Sequence, residues 1–221
     1  MEENQIYRIL EEAYFGENSD ESAEIENLNL ILPSNSKLFV DVGASLGQYT
    51  KRANEIMKNG HIIAIEADPI RFKRLKQLSE RWAKDSTNII EVIHAAATNM
   101  SGLIDFFITN SNVSGALSER NISEVNNWEK IRVSGLTLDE ICRNKKPDLV
   151  KIDVEDGELN VILGSKSLLL LGVKFLVEIH QYLLKIKIEK LFSNMGYISN
   201  KFHNHRFYEK KITNENRYNY L

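Results

Sequence analysis

The sequence predicts an α/β fold of the Rossmann-like kind: a mostly parallel sheet, helices on both faces and an antiparallel strand near the C-terminal end. Three observations carry this. From Leu38 onward, five short apolar, β-branched runs alternate with helix-like segments. Strands so continuously apolar belong in a sheet covered on both faces. A glycine-bearing turn, Gly43 to Gly47, follows the first run, and an acid, Glu66, ends the second, nineteen residues after Gly47. Finally, Gly196–Phe202 and Arg206–Lys210 are separated only by His203-Asn204-His205, a spacing that suits a hairpin.

The elements follow in order. Residues 1–36 read as a helical N-terminal extension. Ile6, Ile9 and Leu10 have helical spacing, a second segment from Ala23 to Leu32 stops at Pro33, and the acidic loop between them is solvated. Residues 37–221 read as one Rossmann-like domain. Its strands are predicted at Leu38–Val42, His61–Ile65, Ile89–His94, Leu149–Ile152 and Val173–Ile179. Between the third and fourth, Leu103–Ile108 and Ile131–Val133 read as extra strands flanking a polar loop at Asn110–Asn127. Arg71, Lys73, Arg74 and Lys76 are expected on the wet face of the helix after the second strand, and Cys142 in the core.

Composition narrows the function. The chain has 221 residues, 43% hydrophobic and 27% charged, with a net charge of −3. That balance predicts no general affinity for nucleic acid. No apolar run approaches the roughly 20 residues a membrane span needs. The acidic, polar start is not a secretory signal, and the single cysteine cannot form an internal disulfide, so a cytoplasmic location is expected. A homodimer is left open.

A strand, a glycine turn, a helix and a second strand tipped by an acid suit a nucleoside. Glycine lets the backbone approach the ligand, the helix start offers N–H groups, and a carboxylate accepts ribose hydroxyls. Gly43-Ala44-Ser45-Leu46-Gly47 also fits the hydrolase pattern G-x-S-x-G, with Asp153 and His180 downstream in triad order. That reading leaves Glu66 without a role and lacks earlier strands to build an oxyanion loop. An NAD-type oxidoreductase wants glycine where Ser45 stands, to admit a pyrophosphate. S-adenosylmethionine has no pyrophosphate, and Asp41 before the turn suits its ammonium group. A non-catalytic nucleoside-binding domain fits the same residues.

A second constellation is Leu149 to Glu158, LVKIDVEDGE. Ligands of open parallel sheets bind at the carboxyl ends of strands, which puts Asp153 beside the glycine turn. Asp156 is expected to cap a helix start, with Glu155 and Glu158 open between capping and the site. The next strand ends at Glu178-Ile179-His180. His180 titrates near neutrality in its ordinary state and is the first candidate for a general base, with Asp153 second. Glu178 is placed to orient His180 or, with Asp153, to hold a cation. No compact metal motif is present, so no metal is assigned.

The motifs VDVGASLGQYT, IAIEADP, HAAAT, TLDEI, LVKIDVEDGE and LVEIH occur in this order, and together they resemble FkbM-type S-adenosylmethionine-dependent methyltransferases over roughly residues 37–200. The resemblance implies a class I Rossmann-like methyltransferase fold, seven-stranded and mostly parallel with the last strand antiparallel. It implies S-adenosylmethionine as cofactor and a small-molecule or carbohydrate acceptor methylated on a hydroxyl. By position, Asp41, Gly43 and Gly47 would line the methionine end, Ser45 would bind the cofactor from the same turn, Glu66 would hold the ribose, Ala95 and Ala96 would lie near the adenine, and Asp153 near the reacting centre. One departure stands out: the family has glycine directly after KIDVE, where this chain has Asp156, with Gly157 one place later.

Overall fold

Five consecutively buried residues, Leu38–Val42, form the central strand β1. In the computed structural model, which describes residues 24–109, 115–116, 128–143 and 145–211, β1 pairs in parallel with β2 (His61–Glu66) on one side and β8 (Leu149–Ile152) on the other. β3 (Ile89–His94) lies beyond β2, and β9 (Lys174–Val177) beyond β8. The terminal hairpin, β10 (Tyr197–Phe202) and β11 (His205–Lys210), joins through β11, which is antiparallel to both β9 and β10. The sheet order is β10-β11-β9-β8-β1-β2-β3, so the expected seven-stranded, mostly parallel sheet is present.

Successive strand residues point to opposite faces, and both faces are filled. Val40, Ile63, Val150, Phe175 and Phe192 share one core. Phe39, Ile62, Leu149 and Leu176 share the other, which Leu28 and Leu32 complete from before the first strand. This two-sided burial explains the unbroken apolar runs. Edge strands differ: β3 alternates between exposed and half-buried, and β10 is mostly exposed.

Helices cover the sheet: α1 (Gln48–Ile56), α2 (Pro69–Trp82), α3 (Leu138–Cys142), α4 (Glu158–Leu163), α5 (Lys166–Leu170) and α6 (Tyr182–Asn194). Two begin with clear chemical signals. Asp68 caps α2, accepting from the N–H groups of Ile70 and Arg71 at 2.8 and 3.2 Å, with Pro69 in the first turn. Thr137 and Glu140 exchange hydrogen bonds as a capping box at α3, which gives the TLDEI motif its physical meaning. Cys142 is 1% exposed in the core, as expected. Among the described residues, no helix is long and apolar enough to cross a membrane.

The insertion forms a sheet of its own. β4 (Ala96–Ala97), β5 (Gly102–Thr109), β6 (Gly115–Ala116) and β7 (Trp128–Leu136) lie in the order β4-β7-β5-β6. Phe106, Ile108 and Val133 pack with Ala96 into a small separate core. β7 is much longer than the expected Ile131–Val133, because its polar residues, such as Glu129 and Lys130, are exposed and hide the strand from a search for apolar runs. Before β1, the chain forms a short 3₁₀ turn at Asn27–Leu30 and stops ahead of Pro33. The expected helix at Ile6–Leu10, the acidic loop after it and most of the Asn110–Asn127 loop lie outside the described residues.

Candidate functional site

Strand order reverses at β1, where the chain moves outward to β2 and β3 and then returns on the other side to β8 and β9. The crevice outside the carboxyl end of such a strand is where open α/β sheets bind ligands. A cavity of about 180 Å³ opens there. Its walls include Gly43, Ala44 and Ser45 of the turn, Glu66 and Arg71, Ala95 to Ala97 with Phe106, and Lys151, Asp153 and Glu155.

The turn is held by close approach and by hydrogen bonds. Gly43 has φ +72°, and a Cβ there would lie 1.8 Å from the Asp153 carbonyl oxygen. Only glycine lets β1 pass the end of β8 so tightly. Ser45, at φ +51°, donates its N–H to Glu66 Oε2 at 2.7 Å, and Asp68 donates its own to Glu66 Oε1 at 2.8 Å. Glu66 is buried, and burial raises its pKa against the pull of the Asp68 N–H and Arg71. Each carboxylate oxygen keeps a further lone pair for a ligand hydroxyl.

Two expected wall residues stand back from the cavity. Gly47, at φ +85°, begins α1 under Leu75 and Trp82, where a Cβ would come within 2.5 Å of Leu75 Cδ1. Its role is packing. Asp41 is fully buried: Oδ2 accepts from Thr50 Oγ1 at 2.7 Å, and Oδ1 faces Lys151 Nζ at 3.6 Å. Neither residue is part of the cavity wall, so the lining position expected of both is not what the packing gives them. Burial raises the Asp41 pKa, opposed chiefly by Lys151.

Lys151 is the charge at the centre. Its ammonium is 3.2 Å from Asp153 Oδ2 and lies 4.6 Å from the centre of the Tyr49 ring. Burial disfavours that charge, but Asp153 and Asp41 outweigh it and hold the pKa above the ordinary lysine value. Burial acts on Asp153 in the opposite sense, and Lys151 prevails, keeping its carboxyl below the usual range.

His180 is not the free base expected. Its Nδ1 is 2.6 Å from Glu158 Oε1, a carboxylate with no exposed surface. Its Nε2 faces Asp153, Glu155 and Glu178 at 3.8, 4.0 and 4.0 Å. The Glu158 hydrogen bond, against burial and helped by Glu155, pushes the pKa up to about 9. An imidazole so surrounded keeps its proton at neutral pH and acts as a cation behind Asp153. Glu158, not Glu178, orients it. Asp156 also departs from expectation: it does not cap α4 but turns at φ +65°, accepting from Gln181 Nε2 at 2.6 Å. The left-handed conformation that glycine favours is thus kept without glycine.

Arg71 and Lys151 were missed as wall residues. Arg71, expected on the wet face of α2, lies in the first turn of that helix, close enough to Glu66 to act on its charge. For Lys151 the signal was present: a lysine inside an apolar parallel strand must have a buried counter-charge.

The methyltransferase FkbM domain family model matches residues 41–220. No curated protein sequence is significantly similar to the chain. Among solved structures, a candidate caffeoyl-CoA O-methyltransferase from Staphylococcus aureus has a TM-score of 0.55 at 13% identity, over 96% of this chain and 93% of that one. A methyltransferase-like protein from Silicibacter pomeroyi has 0.54 at 15%, over 91% and 93%. Precorrin-6y C5,15-methyltransferase from Geobacter metallireducens has 0.50 at 13%, over 86% and 88%. At these identities the likeness shows the fold alone.

Proposed function

Because the chain belongs to the FkbM methyltransferase family, whose members imply an S-adenosylmethionine-type donor, we propose that it methylates a hydroxyl of a sugar, polysaccharide or secondary metabolite. The observation that supports this most is the pairing of features in one cavity: Glu66 and the Gly43–Ser45 turn on one wall, Asp153 and Glu155 on another. The first pair suits a nucleoside, and the second suits the cationic end of the donor and an acceptor hydroxyl. S-adenosylmethionine, when bound, supplies a methyl group already activated on a sulfonium.

The protein's own task is then placement and proton handling. Aligning a hydroxyl with the donor is worth several kcal/mol, up to roughly 7–11 in ideal cases. Removing the hydroxyl proton adds about 10²–10⁴-fold. Asp153 takes the base role, since it lines the cavity as an ionised carboxylate. His180, already protonated, steadies Asp153 instead of accepting the proton.

Thermal melts with S-adenosylhomocysteine and with NADH test the donor. At about 100 times its Kd, a ligand adds about 2.7 kcal/mol, which is roughly 5–10 °C in a domain of this size. S-adenosylhomocysteine is expected to give that rise and NADH none; the reverse result would make the chain a dinucleotide protein. Transfer of labelled methyl to a panel of glycans and polyols then identifies the acceptor.

A further inference from the structure

We infer that Asp153, Glu178 and His205 form a divalent-cation site at the edge of the cavity. Each of the three offers a ligand atom, and these atoms lie within 4.8 Å of one another. The residues come from the ends of three neighbouring strands, β8, β9 and β11, so the sheet itself brings them together.

The imidazole of His205 is built for the purpose. It is 3% exposed, and its Nδ1 lies 2.6 Å from Glu24 Oε1. Glu24 is 1% exposed and is itself held by the Tyr49 hydroxyl at 2.7 Å and the Asn204 N–H at 3.1 Å. A histidine packed with one ring nitrogen against a fixed carboxylate presents its other nitrogen on the opposite side, as metal-ligating histidines do. Neither ring nitrogen of this buried side chain makes a hydrogen bond among the described residues, and the outer one, Nε2, faces Glu178 Oε2 at 3.7 Å. A lone pair aimed at a carboxylate is repulsive unless a cation or a proton stands between them.

Charge around the site points the same way. Asp153, Glu155, Glu158 and Glu178 are gathered at this end of the cavity, with Lys151 and His180 among them. Lys151 engages Oδ2 of Asp153. Two carboxylates and an imidazole suit a borderline cation such as Mn²⁺ or Zn²⁺ better than Ca²⁺, which prefers an all-oxygen cage. Three protein ligands leave coordination positions open. Since Asp153 also lines the cavity, such a cation would draw in an acceptor oxygen and favour its alkoxide; that role, unlike cation binding itself, rests on the methyltransferase reading.

The test is calorimetric and spectroscopic titration of the chelator-stripped full chain with Mn²⁺ alone. One equivalent is expected to bind, with affinity falling at least tenfold in His205→Gln and in Glu178→Gln, and measurably in Glu24→Gln. S-adenosylhomocysteine binding, followed in parallel, is expected to survive in Glu178→Gln, whose side chain is partly exposed, and so reports that the variant is folded. No Mn²⁺ binding by the wild-type chain, or equal affinity in a folded Glu178→Gln variant, would overturn the cation site. Mn²⁺ binding without S-adenosylhomocysteine binding would keep the cation site and remove the methyltransferase reading.

Discussion

Glu66 Oε2 receives the Ser45 N–H at 2.7 Å, so the acid that faces the cavity also fixes the shape of the glycine turn beside it. Its other oxygen holds the Asp68 N–H, at the start of α2. One side chain therefore ties together β1's turn, β2's end and the next helix. Glu66→Gln tests this double role. A glutamine offers one accepting oxygen, and its NH₂ group would face an N–H, leaving a buried donor unpaired at a cost of about 1–3 kcal/mol. The melting temperature is expected to fall by about 2–12 °C, and the stabilisation by S-adenosylhomocysteine should largely disappear. A variant that melts like the wild type would show that the turn holds itself.

Gly43 gives a sharper case. A methyl group there would sit 1.8 Å from the Asp153 carbonyl oxygen, and φ +72° is strained for any L side chain. Strain of this kind costs about 1–3 kcal/mol, and separating β1 from the end of β8 adds to it. Gly43→Ala should lower stability by at least about 2 kcal/mol in denaturant titration, and it should displace Asp153 even where the chain still folds. Full activity and stability in Gly43→Ala would contradict the contact.

The sheet was legible in the sequence because burial on both faces leaves a simple trace: Leu38–Val42 and Leu149–Ile152 are nearly unbroken apolar runs. The glycine turn and Glu66 were legible because their backbone demands are local. What escaped the sequence depends on distant partners. His180 reads as a free base in the sequence because its Nδ1 partner, Glu158, lies twenty-two residues away. Glu24 and His205 meet across almost the whole chain, and no spacing rule connects them. β7 shows only its apolar middle in the sequence because alternating polar residues mark a half-exposed strand, a weaker signal than an apolar run.

Asp156 occupies a left-handed turn between β8 and α4, at φ +65°. Aspartate tolerates this conformation better than most residues, whereas a β-branched side chain clashes with its own backbone. Asp156→Val should therefore cost about 1–2 kcal/mol. Asp156→Gly should be nearly neutral, since relief of the strain offsets loss of the Gln181 hydrogen bond, worth about 0.5–1.5 kcal/mol. Chemical denaturation of the two variants distinguishes the explanations: equal losses would mean that the Gln181 contact, not the backbone, decides this position.

Cys142 supplies the pH test. Burial, with Asp139 adding to it, pushes its thiol up from 9.0 to about 12. The unfolded chain thus releases this proton above pH 9, while the folded chain keeps it to about 12. In that window the folded state binds more protons than the unfolded state, so stability falls as pH rises. In Cys142→Ala this component is absent. The stability advantage of wild type over Cys142→Ala should shrink between pH 8.5 and pH 11 and be constant below about pH 8. The same burial keeps the thiolate scarce in the native state, and reaction depends on the thiolate. A disulfide reagent at pH 8 should therefore label Cys142 only as fast as the chain opens. Rapid labelling of the folded protein would place the thiol at the surface and remove the cause of the shift.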